Sequence, residues 1–261
     1  MKIALVSFEP ELKNTGRNFK KASELINAAK HKGANLCIFP ESTMSGFIFP
    51  NNVHSEYYSN SPSLKFFRGK AADLEISLIL GLFIKDESSG GVKNSAVIID
   101  QMGEITLRYD KIHIFSPGKE NKYNIAGNEI KMGTIKENFI GISICYDLRF
   151  PEMFTKMAPY CDAIINIANW PSKRSSHWKA LLRARAIENQ LFMIGVNRYG
   201  YDLEGEFFAG DSLVFDPWGE LIQAEFSSGA VSVYTLNFDI VAEIRKSFPV
   251  LEDRRFKSEL L

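Results

Sequence analysis

Short apolar runs alternate with helical patterns along almost the whole chain. Lys2–Phe8 predicts a strand, and Asn14–Lys32 predicts a helix, because apolar residues at i, i+3, i+4 and i+7 from Ala22 form one stripe that Gly33 ends. Further strands are predicted at Asn35–Phe39, Leu78–Ile84, Ala96–Asp100, Ile105–Tyr109, Phe139–Cys145, Ala163–Ala168, Phe192–Val196, Ser212–Phe215 and Val231–Leu236. Further helices are predicted at Pro62–Ile76, Pro151–Tyr160, Ser175–Gln190 and Phe238–Ser247. Apolar strands between helices indicate sheets that are covered by helices on one side.

A weak internal repeat refines this α/β interpretation. Asp100–Glu104 and Asp216–Glu220 share the pattern D-x-x-G-E, and each joins two strand-like runs as a hairpin turn would. Two similar αββ halves would stack sheet on sheet as a four-layer α-β-β-α sandwich. The alternative is that D-x-x-G-E is only good turn chemistry. No long linker divides the chain, so we expect a single domain over residues 1–261, with a C-terminal tail from about residue 248. Its charged part, Glu252–Lys257, is predicted to be solvated, and the alternative is that it crosses to a partner subunit.

Charge and cysteine content exclude several classes of function. The 31 basic and 31 acidic residues cancel, which leaves no bulk positive field for nucleic acid or an anionic membrane. No apolar run approaches the roughly 20 residues of a membrane span. The apolar start is short for a signal peptide, so the prediction is a soluble, cytoplasmic protein. Three cysteines and four histidines, none at a metal-binding spacing, predict neither a disulfide framework nor a zinc site.

Candidate chemistry lies at three strand ends. Glu41 follows one apolar strand, Lys111 follows a second, and Cys145 ends a third, before the polar segment 146–149. Taken singly, Glu41 is explained as a loop acid, Lys111 as a surface cation and Cys145 as an inert buried thiol. Taken together, they supply a base, a cation and a nucleophile. A thiol beside a polar loop is accessible to a substrate.

The chain resembles the nitrilase (carbon–nitrogen hydrolase) superfamily. The family's catalytic Glu–Lys–Cys triad matches Glu41 in FPES, Lys111 in RYDKIH and Cys145 in GISICYDLRFPE, and the resemblance runs from Met1 to about Asp239. It implies the four-layer sandwich, a homodimer and no cofactor or metal. A second catalytic glutamate matches Glu120, although its loop lacks the fuller consensus, and an ordinary loop charge is the alternative.

Later motifs are similar to the branch that contains omega-amidases. They are Asn169-Trp170-Pro171, the segment His177–Gln190, GVNR at 195–198 and AGDS at 209–212. The resemblance implies hydrolysis of the terminal amide of a small carboxylate-bearing amide such as 2-oxoglutaramate. Asn169, Trp170 and Arg174 follow the strand Ala163–Ala168, so we expect them to bind the substrate. Arg174 would contact its carboxylate.

The implied mechanism has a thioester on Cys145, with Glu41 as general acid and base. Lys111 and the backbone N–H of Tyr146 would face the oxyanion, and ammonia would leave. Three alternatives stay open from the sequence. The base is His113 or His177 in a Cys–His arrangement; the substrate is an N-carbamoyl amine, another small amide or a nitrile; or the protein is an inactive binding protein of the same fold.

Overall fold

The computed structural model describes residues 1–12, 14–51 and 54–255. Its helices are α1 Thr15–His31, α2 Pro62–Leu74, α3 Pro151–Met157, α4 Ser175–Asn189 and α5 Asp239–Ser247. Its strands are β1 Lys2–Val6, β2 Leu36–Ile38, β3 Glu56–Tyr57, β4 Ser77–Lys85, β5 Val92–Ile99, β6 Ile105–Asp110, β7 Met132–Ile135, β8 Asn138–Ile144, β9 Ala163–Ala168, β10 Phe192–Asn197, β11 Tyr199–Tyr201, β12 Phe207–Ala209, β13 Leu213–Phe215, β14 Phe226–Ser228 and β15 Val231–Thr235. None of the helices in these described ranges is both long and apolar enough to cross a membrane.

Two sheets stack face to face. The first has the order β14-β15-β1-β2-β4-β5-β6, with β3 paired to β4, and the second has the order β13-β10-β9-β8-β7. One apolar cluster lies between the first sheet and helices α1 and α2, for example Ile26 and Phe67 against Leu80. The other cluster fills the space between the sheets and under α3 and α4, where Ile142 and Trp178 belong to it. The predicted four-layer α-β-β-α sandwich is confirmed.

The core between the sheets becomes polar at one end. Side chains two residues apart on a strand share a face of the sheet. Ala96 on β5 and Tyr109 on β6 belong to the inter-sheet core, and the next positions on the same faces are Asn94 and Lys111. Both of these polar residues are buried. The strand alternation therefore carries polar side chains into the sandwich at the end where β6 stops.

The repeated D-x-x-G-E segments form the same tight turn. Gly103 N donates to Asp100 O at 3.0 Å, and Gly219 N donates to Asp216 O at 2.8 Å. Each aspartate Oδ1 also accepts two backbone N–H groups of its own turn at 2.9 Å. Both glycines have φ close to +80°, which side chains with a Cβ adopt at a cost. The turn prediction is confirmed at both places.

Several predicted boundaries were wrong for identifiable reasons. Helix α3 ends at Met157 rather than Tyr160, because Pro159 has no backbone N–H to continue the helical hydrogen bonds. Strand β5 begins at Val92 rather than Ala96, since three polar residues, 93–95, interrupt the apolar run. The short strands β3, β7, β11, β12 and β14 carry too weak an alternation to be predicted.

The C-terminal segment is exposed, as predicted, at Glu252, Asp253 and Arg255, but Arg254 is half-buried and held against the helices. Arg254 Nη2 donates to Glu188 O at 2.5 Å and to Asn189 Oδ1 at 2.9 Å. Its guanidinium thus satisfies groups at the end of α4, which otherwise lack helical partners. The last part of the predicted tail, including Lys257, lies outside the described residues.

Candidate active site

A buried lysine joins two buried glutamates at the polar end of the sandwich. Lys111 Nζ donates to Glu41 Oε1 and to Glu120 Oε2, both at 3.0 Å. Glu41 comes from the loop after β2, Lys111 directly follows β6, and Glu120 begins a short 3₁₀ turn, so three distant segments meet here. Burial favours the neutral amine, but the carboxylates of Glu120 and Glu41 outweigh it and raise the pKa of Lys111 above its usual value. The lysine is therefore a fixed cation.

Each carboxylate is surrounded by donors besides the lysine. Glu41 Oε1 accepts from Asn94 Nδ2 at 2.7 Å, and its Oε2 accepts from the backbone N of Asn169 at 2.8 Å. Glu120 Oε1 accepts from Asn94 Nδ2 at 2.9 Å and from Asn124 Nδ2 at 3.1 Å. The backbone N of Phe115 donates to Glu120 Oε2 at 2.7 Å. Both acids are immobilised as hydrogen-bond acceptors.

Cys145 lies next to this cluster, on the first turn after β8. Its backbone is in the left-handed region, with φ of 46°, which is unfavourable for a residue with a side chain. Its Sγ is 3.8 Å from Asn169 O. Burial raises the pKa of the Cys145 thiol, the nearby Glu41 carboxylate raises it further, and the Lys111 ammonium opposes them. A thiol in this environment is protonated at neutral pH and needs a base to react.

Asp147 connects the cysteine turn to the lysine segment. Its Oδ2 accepts from Tyr109 Oη at 2.7 Å and from Ile144 N at 2.9 Å. Its Oδ1 accepts from the backbone N of His113 at 2.9 Å, and His113 Nδ1 lies 2.8 Å away. One fully buried carboxylate thus fixes the ends of β6 and β8 relative to each other.

The histidines are placed differently from the acids. The His113 ring stacks on Phe150 with centroids 3.8 Å apart and is committed to Asp147 through Nδ1. His177 Nδ1 lies 3.3 Å from a guanidinium nitrogen of Arg149. Glu41, in contrast, acts electrostatically on the thiol and on Lys111. Both imidazoles therefore already have polar partners, whereas Glu41 belongs to the charged cluster beside the thiol.

A cavity of about 490 Å³ opens above the sulfur. Cys145 and Lys111 lie in its wall, and aromatic residues of three loops, among them Phe47 and Tyr123, form one side. Arg149 and Arg174 lie in the wall as well. Within residues 1–12, 14–51 and 54–255, neither of these arginines forms an ion pair with a carboxylate. The cavity therefore offers an apolar side, two guanidinium groups and a half-buried thiol.

The residues expected to bind substrate all line this cavity. Asn169 donates through Nδ2 to Glu41 O at 2.8 Å, so its amide also holds the glutamate. Trp170 donates through Nε1 to Arg174 O at 2.8 Å, and the Arg149 guanidinium lies 4.8 Å from the centroid of its ring. The Arg174 guanidinium lies 5.8 Å from the ring centroid of Phe115. Tyr146, whose backbone N–H was expected at the oxyanion, is also in the wall.

Comparison with known proteins identifies the family. The family model described as carbon–nitrogen hydrolase matches residues 2–246. The chain belongs to the carbon–nitrogen hydrolase family.

Relatives of this carbon–nitrogen hydrolase include proteins named as amidases. A 2-oxoglutaramate amidase of Paenarthrobacter nicotinovorans is 37% identical over 233 residues, which cover 85% of this chain and 79% of the relative. A 2-oxoglutaramate amidase of Bacillus subtilis (strain 168) is 31% identical over 257 residues, 97% of each protein. The crystal structure of XC1258 from Xanthomonas campestris, a CN-hydrolase superfamily protein, has a TM-score of 0.91 at 31% identity and covers 98% of each chain. The superfamily resemblance and its omega-amidase branch are confirmed.

The carbon–nitrogen hydrolase site also contains residues that sequence reasoning missed. Asn94 was placed outside any element, although its position just before an apolar run made a buried polar residue plausible. Asp147 lies in the motif around Cys145 but had been given no role. Arg149, in the same motif, lines the cavity beside the predicted Arg174. In the part of the chain that the structure describes, no three His, Cys, Asp or Glu side chains are grouped to hold a metal ion.

Proposed function

We propose that this carbon–nitrogen hydrolase is an amidase that cleaves the terminal amide of a small carboxylate-bearing amide such as 2-oxoglutaramate. The observation that carries the proposal is the meeting of Cys145 with the Glu41–Lys111–Glu120 cluster at the base of a cavity whose two arginines form no ion pair with a carboxylate of the described residues. Two relatives that match at least 85% of this chain are named 2-oxoglutaramate amidases, which supports the substrate class.

The first half of the reaction forms a thioester. Cys145 Sγ attacks the amide carbon while Glu41 accepts the thiol proton, which the raised pKa of the thiol makes necessary. Lys111 and the backbone N–H of Tyr146 stabilise the oxyanion; removing one such donor typically costs about 10²–10³ in rate. The carbon–nitrogen bond then breaks, Glu41 returns its proton to the leaving nitrogen, and ammonia departs.

The second half of the reaction hydrolyses the thioester. Water attacks the acyl carbon while Glu41 accepts one of its protons, and the carbon–sulfur bond breaks. The thiolate then takes the proton from Glu41, so the enzyme returns to its starting state and the acid product leaves. Glu120 keeps Lys111 in place through both halves by its 3.0 Å contact, which assigns it a positioning role.

Substrate recognition is assigned to the wall of the cavity. Arg174 binds the substrate carboxylate, because a guanidinium without a carboxylate partner matches it bidentately. Asn169 lines the cavity and donates through Nδ2 to Glu41 O, so it fixes the base at the substrate. Trp170 fixes the segment that carries both residues through its bond to Arg174 O.

Ammonia release tests the proposed function. Purified enzyme is incubated with 2-oxoglutaramate, an N-carbamoyl amine and an aliphatic nitrile, next to Cys145→Ala as the matched inactive control. We expect ammonia mainly from 2-oxoglutaramate, none with Cys145→Ala, and a transient acyl mass on the Cys145 peptide. If the enzyme prefers the carbamoyl compound or the nitrile, the substrate class is that compound's and not the proposed carboxylate-bearing amide. Turnover of none of the three would favour a binding protein.

Two variants identify the base. Glu41→Gln keeps the shape of the side chain and removes its basicity, so we expect activity to fall by most of the about 10²–10⁴-fold that a general base contributes. His113→Ala is the comparison, since that ring is bound to Asp147. Full activity in Glu41→Gln together with loss in His113→Ala would reverse the assignment.

We further propose that the chain acts as a single-domain cytoplasmic homodimer. The three cysteines are free, which suits a reducing compartment. On the outer surface, Trp218 stacks on Phe248 while both remain more than half exposed, and Ile187 of α4 is 47% exposed. Light scattering on purified protein tests the dimer, and a monomer mass at working concentration would reject it.

A further inference from the structure

Asn94 is a buried amide between the two acids of the site. It lies on β5, opposite Phe83 of β4, and its side chain has no solvent exposure. Its Nδ2 donates to Glu41 Oε1 at 2.7 Å and to Glu120 Oε1 at 2.9 Å. Its backbone O accepts from Lys111 N at 2.8 Å. One residue therefore touches all three charged members of the cluster.

The orientation of this amide is determined by its neighbours. An amide nitrogen carries two hydrogens, and here each points at a different carboxylate. The flipped amide would place Oδ1 against two carboxylate oxygens, which is repulsive, so only one orientation fits. In that orientation Oδ1 is buried without a hydrogen-bond partner among the described residues. A buried acceptor without a partner is unfavourable, so the two hydrogen bonds that the amide donates have to compensate for its cost.

The charge balance of the cluster indicates what these two hydrogen bonds do. Glu41 and Glu120 place two carboxylates around the single ammonium of Lys111, and all three side chains are almost completely buried. Like charges in a buried site repel each other, so two carboxylates this close need donors to hold them in place. A neutral donor shared between both carboxylates stabilises their ionised forms and adds no charge of its own.

We propose that Asn94 is a positioning residue that holds the carboxylate of Glu41 in place as the base for Cys145 by donating to Glu41 and Glu120 at once. This inference rests on the proposed function only in taking Glu41 as the base. Asn94 is fully buried and is not among the described residues in the cavity wall. It therefore acts through the carboxylates and not on the substrate.

The test replaces Asn94 with Ala and follows two pH profiles. In turnover of 2-oxoglutaramate, kcat is expected to fall about 10- to 100-fold, part of what a general base contributes, with KM nearly unchanged. The acid limb of kcat/KM should move to higher pH by about one unit or more, because a carboxylate that loses a donor is easier to protonate. The second profile is the rate of Cys145 alkylation by iodoacetamide, measured by mass spectrometry, which needs no substrate.

Asn166→Ala is the matched control. Asn166 is also a fully buried strand asparagine, it donates through Nδ2 to Ser143 Oγ at 2.9 Å, and its Oδ1 likewise has no partner among the described residues. Its loss should lower the melting temperature without moving either acid limb. Asn94→Ser, which keeps one donor, should give an intermediate shift, and it decides the same question if Asn94→Ala is too unstable to purify.

The outcomes separate this inference from the proposed function. The inference is supported if the acid limb of the pH profile shifts in the Asn94 variants but not in Asn166→Ala. The alkylation profile gives this result even if the wild type releases no ammonia from 2-oxoglutaramate and the proposed substrate class is wrong. Acid limbs that coincide in wild type, Asn94→Ala and Asn94→Ser overturn it, even if the wild type is an active amidase. An equal shift in Asn166→Ala also overturns it, since general destabilisation would then explain the effect.

Discussion

Gly81 lies in the middle of β4, directly beside the loop that carries Glu41. A Cβ at this position would lie 2.6 Å from Ser42 N and 2.7 Å from Glu41 Cα. Its φ is not in the left-handed region, so alanine meets no backbone strain here and acts by sterics alone. Glycine inside a strand commonly marks a close approach of another backbone segment. We therefore expect Gly81→Ala to displace Glu41.

The size of the displacement follows from these distances. Ordinary van der Waals contact begins at 3.4 Å, so the new methyl group is about 0.8 Å too close to Ser42 N. The atoms that the methyl group would meet belong to the backbone, so they cannot rotate away as a side chain does. A catalytic group misplaced by about 1 Å can lose about 10²-fold in rate, and overpacking costs about 1–3 kcal/mol of unfolding free energy. Thus kcat should fall by about 10²-fold in a protein that still folds.

The assay combines ammonia release with thermal unfolding. A loss of 1 kcal/mol corresponds to a fall in Tm of about 2–4 °C for a domain of this size. Gly195→Ala is the matched control, because its methyl group would also clash, at 2.4 Å from Leu182 Cδ1 and 2.7 Å from Trp178 Cζ2, but only with core side chains. We expect similar losses of Tm and a large loss of kcat only in Gly81→Ala. Wild-type kcat in a folded Gly81→Ala enzyme would refute the steric argument.

Three further predictions concern charge and pH. Asp147→Asn puts an amide among four donor contacts, so we expect a loss of about 1–3 kcal/mol in urea unfolding together with reduced kcat; unchanged stability would contradict the role of Asp147 as a connector. Arg174→Ala should raise KM for 2-oxoglutaramate but not for an amide that lacks a carboxylate, whereas the same pattern in Arg149→Ala alone would assign the carboxylate to Arg149. Burial raises the pKa of Cys161 to about 12, and the unfolded thiol titrates near 8.5, so its contribution to stability is complete below about pH 8.5 and declines as pH rises towards 12. Urea unfolding at pH 8 and pH 10 should therefore show a smaller pH-dependent loss in Cys161→Ala than in wild type, and equal losses would show that this thiol is not involved.

The layers of the fold were predictable because helical and strand periodicities are local properties of the sequence. The helices and all the long strands were found, with errors where polar residues interrupt a buried strand, as at the start of β5. The sequence did not decide whether the two D-x-x-G-E segments mark two similar halves of the fold or are only a favourable turn sequence. The short strands β11 and β12 pair only with each other, and their residues carry no clear alternation.

The charged residues of the site were found by resemblance and by their position at strand ends, not by geometry. Sequence spacing does not reveal that Asn94 touches two acids that are 53 and 26 residues away. It also does not show that Asp147, two residues after the thiol, joins the segment of Lys111. Such contacts arise only when the two sheets stack, because they connect side chains that no local pattern relates. Gly81 lies inside an apolar strand, where a glycine often marks a close backbone approach, but no role had been predicted for it.

The left-handed backbone at Cys145 places stability and reactivity in conflict at one position. Glycine would relieve a conformational cost of about 1–2 kcal/mol there, so a glycine variant should melt at a higher temperature while having no sulfur to react. A laboratory selection for heat resistance alone would therefore favour variants that have lost their chemistry. Turnover therefore has to be measured in every round of such a selection, because the residue that best fits the backbone at this position cannot act as a nucleophile.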